Sequence, residues 1–310
     1  MNRPDFDSDI RAAILRRLPV EGTDDELQKK LAEMPTPELV IRFRNWLARL
    51  VHPHPRQVNE SKEFVASELA RSHDANLKIL LEKIRAGFDL SPHLSKFVKH
   101  GYERTHKNDR NRRRDLDLLL NDWGIHHLHI SNEIDRDGFV KRGGPLLFAI
   151  FTVTDCYVLD VLLHGEWANQ RLVEVAVRNW PDAKLFLTLP LLIAPHRPFS
   201  ASDRMGFRGA GISTFIYLDG SAVMAKNGGI SSAGTATDAT RYAQSLLRGV
   251  KAVEDGLARD PDYMKHYFNK AGIGYPTDPE LHVIFFEYPQ GWGWGVRETK
   301  TGAMLPLTVA

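Results

Sequence analysis

Apolar positions in the first third of the chain recur with helical spacing. Ile10, Ile14 and Leu18 share one face of a segment that Ser8 or Asp9 would cap. Thr23-Asp-Asp-Glu26 has the form of a capping box and opens a second helix, Asp24 to Ala32. Pro37 suits the first turn of a third helix, whose apolar positions Leu39, Ile41, Phe43, Trp46, Leu47 and Leu50 oppose Arg42, Arg44 and Arg49. That helix must stop at His52-Pro-His-Pro-Arg56, because prolines 53 and 55 lack a donor and push their predecessors toward extended geometry. A long amphipathic helix follows over Lys62 to Phe88, with a break near His73. Residues 1–88 therefore read as a helical N-terminal region.

The pattern changes at Asp89. A short helix is expected from Ser91-Pro to His100, and a basic one from Asp109 to Asn121, ended by Gly124. Strands are expected over Ile125 to Ser131, Pro145 to Thr154 and Tyr157 to His164. The last two are nearly unbroken apolar runs, as strands buried on both faces are. Glu166 to Arg178 reads as a helix. Asp219-Gly220, flanked by Phe215 to Leu218 and Ser221 to Ala225, is the strongest hairpin signal in the chain. A helix over Asp238 to Leu257 and strands over Leu281 to Tyr288, Trp292 to Lys300 and Ala303 to Leu307 complete the chain. The fold class is α+β: helices over 1–88, a small antiparallel sheet with helices over 89–181, and an α+β hairpin and helix region of unassigned role over 182–310.

Composition narrows the class without naming a function. At 43% hydrophobic and 26% charged residues, the chain can bury an ordinary core and is not intrinsically disordered. Its one cysteine, Cys156, lies in an apolar run; this rules out an internal disulfide framework and points to a buried side chain in a reducing compartment. The N-terminus has no apolar stretch of the signal-peptide kind, and no run approaches the ~18 apolar residues of a membrane span. A cytoplasmic protein is expected. The net charge of +2 hides a local asymmetry: eight Lys or Arg and two His between Lys96 and Arg114, against two acids. Such a stretch suits an anionic partner.

Candidate chemistry centres on Trp123-Gly-Ile-His-His-Leu-His-Ile-Ser131. In a strand, His127 and His129 share a face and His126 takes the other. Two imidazoles so placed suit general acid/base work, or metal ligation if a third ligand such as His164, Asp155 or Asp160 joins them. No such ligand follows from spacing, so neither a metal nor a cofactor is assigned. The competing reading is that these are hydrogen-bonded sheet histidines without catalytic duty. For Arg110, Arg112, Arg113 and Arg114 the choice lies between phosphate contacts and pairing with Asp109, Asp115 and Asp117, with Tyr102 and His106 available to stack on bases. His52 and His54 read as solvated loop residues. Gly228 to Thr237 has the outline of an anion cradle but reads better as a plain strand-to-helix loop, and Trp292-Gly-Trp-Gly as a close-packed hairpin. His93-Leu-Ser95 and His129-Ile-Ser131 both match His-x-Ser, yet Pro92 marks a helix start at the first.

The order helix, basic helix, three strands, helix over Ser91 to Arg178 resembles the core of RelE/ParE-type toxins. Ile125-His-His-Leu-His-Ile stands where that family has a strand with Glu-Leu-Arg. Arg142-Gly-Gly-Pro-Leu-Leu-Phe-Ala-Ile-Phe stands for its Tyr-Arg strand, and Val161-Leu-Leu-His-Gly-Glu-Trp167 for its Leu-Leu-His phrase. The resemblance implies a metal-independent ribonuclease, toxin-like or engaged in phage defence. His127, His129 and His164 would then be acid/base groups, and Arg136, Lys141 and Arg142 phosphate contacts. The partner would be an RNA or DNA backbone, with the N-terminal helices free for a protein partner. The alternative is a non-catalytic nucleic-acid-binding or protein-assembly module with structural histidines.

Overall fold

Residues 4–20, 25–103, 113–189 and 197–308 are described by a computed structural model of the chain. Packing separates two units, Met1–Arg44 with Ala239–Ala310, and Asn45–Asp238, rather than dividing the chain at 88/89 and 181/182. The reason is non-local. The first helix, α1 (Phe6–Leu15), covers a strand from the C-terminal end of the chain, with the Val283 amide donating to Asp9 at 2.9 Å. Asp5 caps α1 through the Ser8 amide at 3.0 Å, not Ser8 or Asp9, so that Phe6 joins Ile10 and Ile14 on the buried face. Helices α2 (Asp25–Glu33) and α3 (Thr36–Ala48) follow as expected; Thr23 of the capping box lies outside the described residues.

The second unit begins with a strand that periodicity missed, β1 (Gln57–Glu60). It lies at the edge of its sheet, and only Val58 of its four residues is apolar. The expected single helix over Lys62 to Phe88 is three: α4 (Lys62–Ala66), α5 (Glu68–Ser72) and α6 (Asp74–Ala86). Ser67, in extended geometry, ends the first and caps the second through the Ala70 amide at 3.2 Å, and the chain breaks again at His73. Gly87 ends α6 with φ +76°; a Cβ there would come within 2.4 Å of the His54 backbone, so the turn requires glycine. In place of a helix to His100 there are two 3₁₀ turns, Ser91–His93 and Lys96–Lys99. Of the expected basic helix, the described residues are helical only in α7 (Leu118–Trp123), which the Asp117 carboxylate starts by accepting the Leu120 amide at 3.0 Å. Residues 104–112, with Arg110, Arg112 and His106, lie outside the described residues.

Strands β2 (His126–His129), β3 (Leu146–Phe151) and β4 (Asp155–Leu162) form the expected antiparallel run. The sheet is nonetheless mixed, in the order β1-β4-β3-β2, since β1 joins β4 in parallel. Leu128, Leu147, Ala149 and Val158 pack on one side with Leu80, Leu81 and Ile84 of α6. Phe148, Ile150 and Leu159 pack on the other with Leu172 and Ala176 of α8 (Arg171–Asn179). Next come β5 (Phe186–Leu189), α9 (Ala201–Gly209), β6 (Ile216–Leu218) and β7 (Ser221–Ala225), with sheet order β5-β7-β6. Asp219 and Gly220 both take positive φ, 51° and 78°, as the tight hairpin requires.

The first unit is completed by α10 (Thr237–Arg259), which begins in the second; α11 (Tyr263–Lys270), which was not expected; and the antiparallel sheet β8 (Leu281–Tyr288), β9 (Gly291–Glu298) and β10 (Met304–Leu307). Trp294 is buried against Phe285 and Phe43, at 5.1 and 6.3 Å between ring centroids, so the Trp-Gly alternation makes a packed hairpin. A Cβ on Gly295 would sit 2.9 Å from the Leu305 carbonyl oxygen.

Candidate functional site

Strand alternation places the three histidines as the two-residue period predicts. His127 pairs with Phe148 and His129 with Leu146, facing the α8 side of the sheet. His126 faces the other way, donates through Nε2 to the Ala48 carbonyl at 3.1 Å and stacks edge-on to Phe151 at 5.3 Å. Burial holds its pKa down at about 4. His126 is therefore a packing residue.

Beyond β4, Trp167 stands between His127 and exposed His164, 4.7 and 4.9 Å away between ring centroids. His127 is half-buried, with Nδ1 3.5 Å from an Asp117 carboxylate oxygen, an ion-pair separation that lacks hydrogen-bond alignment. Burial lowers its pKa and outweighs the opposing pull of Asp117. His129 is pushed down to about 3, first by burial and then by Arg142, with His127, His164 and His93 adding to the effect. At neutral pH His127 and His129 are uncharged.

The main chain of His129 is held from behind. The Lys83 ammonium can only donate, so at 3.1 Å it makes His93 Nε2 an acceptor, and the His93 Nδ1–H then donates to the His129 carbonyl at 2.8 Å. His93 is fully buried in the first 3₁₀ turn, as Pro92 suggested, and burial lowers its pKa.

Arg142 supplies the cationic edge. Its Nη2 donates to the Leu94 carbonyl at 2.8 Å and its guanidinium lies over Phe139 at 5.2 Å. The Nε and Nη1 groups are buried without a hydrogen-bond partner. The other expected phosphate contacts differ. Arg136 is exposed, and exposed Lys141 reaches Glu133 at 3.2 Å. Arg113 pairs with buried Asp115 at 2.6 Å, as the pairing alternative had it, and Arg114 with Glu103 at 2.7 Å. Arg49, buried beneath this turn, donates to the His100 and Arg114 carbonyls at 2.8 and 3.2 Å. The structure thus brings His127 and His164 together around Trp167, with His129 and Arg142 within reach of each other's charge. It adds Asp117, Trp167, His93 and Lys83, none of which the sequence had offered as part of this site. Only Asp117 carried a usable signal, an acid immediately before a leucine-rich helix.

Three other expectations resolve differently from the site. His52 and His54 are buried, not solvated. His54 Nε2 meets the Val153 carbonyl, His52 Nδ1 donates to His54 Nδ1 at 3.2 Å, and Arg56 binds the carbonyls of both at 2.9 and 3.3 Å. The Gly228 to Thr237 loop uses its amides internally: Gly229 to Asn227, Ile230 to Ser213, Ser231 to Thr235 and Thr237 to Gly229. It offers no open cradle. Cys156 is buried as expected, its thiol pushed up to about 12 by burial.

Among the described residues no three His, Cys, Asp or Glu side chains converge as a metal site requires. No helix among them is long and apolar enough to cross a membrane. A cavity of about 740 Å³ in the first unit is lined by Asp5, Asp9, Glu280, His282 and Lys300, and contains none of the residues expected from the sequence to be catalytic or phosphate-binding. No protein family, curated protein or solved structure matches the chain.

Proposed function

We propose that the second unit binds RNA through phosphate and cleaves it at the His127–Trp167–His164 face, as a ribonuclease of the toxin-like kind. The observation that carries this reading is Arg142. Two of its guanidinium nitrogens are buried without partners and its charge reaches two neutral imidazoles, an arrangement costly for folding and suited to an anion that arrives later. Support also comes from the antiparallel β2-β3-β4 run, which the resemblance to RelE/ParE-type toxins implies.

In the proposed reaction the ribose 2′-oxygen bonds to phosphorus and gives its proton to His127. The bond from phosphorus to the 5′-oxygen breaks, and that oxygen takes a proton from His164. Arg142 neutralises the phosphorane, leaving a 2′,3′-cyclic phosphate and a 5′-hydroxyl. A bound phosphate would offset the field of Arg142 and raise the pKa of His129. Cleavage of mixed-sequence RNA by the wild type, and its loss in His127→Ala and Arg142→Ala, is the expected result; equal cleavage in all three would sink the catalytic reading.

A second reading rests on the low pKa of His129 and the hydrogen bond that its carbonyl receives from His93. Both suit a nucleic-acid-binding module whose histidines are structural. In that case RNA binding with a steep negative salt dependence persists without cleavage.

A further inference from the structure

We infer that Asp117 is a positioning residue, which fixes His127 as its Nδ1–H tautomer and leaves the Nε2 lone pair to accept the substrate proton. The inference deepens the ribonuclease reading and rests on it for its catalytic consequence, though not for the tautomer itself. The two oxygens of the carboxylate face different tasks. One accepts the Leu120 amide at 3.0 Å and starts α7; the other lies 3.5 Å from His127 Nδ1. The carboxylate's negative charge, 3.5 Å from Nδ1, favours the tautomer with the proton on that nearer ring nitrogen. Helix α7 is itself well anchored, with Leu119, Leu120 and Trp123 in the core and Gly124 closing its C-terminus at φ +71°. The carboxylate is therefore held by main-chain structure, not by a flexible surface contact. Arg49, pinned to the His100 and Arg114 carbonyls, places positive charge nearby, and Asp117 in turn favours its charged form against burial. His127 lies against Trp167, with ring centroids 4.7 Å apart and the rings tilted by 59°, which restricts the imidazole in its second direction.

The cap role makes the substitution informative. In Asp117→Asn the amide oxygen would keep the Leu120 cap, since asparagine caps as well as aspartate. Its NH₂ would then face His127 Nδ1 and donate, forcing the proton to Nε2. Asp117→Ser would also cap the helix but is too short to reach the ring.

The test is ¹⁵N imidazole NMR on the full-length protein without RNA, near neutral pH. In the wild type, His127 should show a protonated Nδ1 and a bare Nε2. Asp117→Asn should exchange these two signatures, and Asp117→Ser should give a mixture, with His93 unchanged as internal control. A wild-type His127 protonated at Nε2, or the same tautomer in all three proteins, overturns the inference. Cleavage is read separately. Where the wild type cuts RNA, Asp117→Asn should cut on the order of a hundredfold slower with RNA affinity retained. Unchanged cleavage by a tautomer-switched protein overturns the positioning role while leaving the ribonuclease reading intact. Absence of cleavage in the wild type sinks that reading and leaves the tautomer assignment standing.

Discussion

The β8-β9-β10 sheet and the β2-β3-β4 run are both antiparallel, but they treat polar side chains differently. In the first, Leu281, Val283 and Phe285 alternate inward with Trp294, Val296 and buried Glu298, whose carboxylate accepts the Glu280, Lys300 and Thr301 amides at 3.0, 3.3 and 2.7 Å. On its other face Phe286 and Tyr288 lie over the cross-strand glycines: a Cβ on Gly293 would meet their rings at 3.6 and 3.3 Å. In the second, His127, His129 and, from the neighbouring turns, His93 and Arg142 occupy positions where hydrocarbon would pack at lower cost. The buried carboxylate of the first sheet is met by main-chain amides, whereas the second leaves Arg142 Nε and Nη1 and His127 Nδ1 without hydrogen-bond partners. That asymmetry separates a scaffold from a candidate site.

The comparison can be broken most severely at Trp294. Trp294→Ala should destabilise the first unit by about 3–5 kcal/mol in chemical unfolding. A loss below ~1 kcal/mol would show that this sheet is not the packed scaffold described.

Acid should distinguish the sheets next. The folded-state pKa values of His126 and His129, about 4 and about 3, lie below the unfolded value of about 6.5. The unfolded chain therefore binds more protons in that window, and these groups destabilise the fold as pH falls from 6.5 toward 4, by on the order of 1–3 kcal/mol. His282 has the opposite sign. Its hydrogen bond to Asp9 raises its pKa, so its stabilising contribution is complete below the unfolded value and is lost as pH rises through the folded one. Hydrogen exchange across pH 4–7 should show β2 amides losing protection on acidification while β8 amides keep theirs.

Smaller effects sharpen the contrast. His129→Leu should change stability at pH 7 by less than ~1 kcal/mol, in either direction, while RNA affinity falls; a large destabilisation with unchanged affinity would mark His129 as structural. His282→Ala, at a partly exposed ion pair, should cost about 0.3–1 kcal/mol at pH 5 and nearly nothing at pH 9.

Much of this was legible from local pattern. The Asp219-Gly220 hairpin, the long α10 helix, the three central strands and the separation of His126 from His127 and His129 all follow from periodicity and turn chemistry. Local pattern failed where a short polar motif competed with it. Ser67 divided an apparent long helix, and Asp117 started α7 well inside an expected one. Strand β1 was missed because an edge strand of Gln-Val-Asn-Glu has no apolar alternation to report.

By itself the sequence determined the α+β class, the two-residue period that puts His127 and His129 on one face, and a buried Cys156. Tertiary structure alone decided that His52 and His54 are buried, that Arg113 and Arg114 are paired, and that Asp117, Trp167, His93 and Arg142 surround the histidine strand. Periodicity is a property of neighbours in the chain. A site is assembled from segments tens of residues apart, and their encounter depends on which apolar faces pack together.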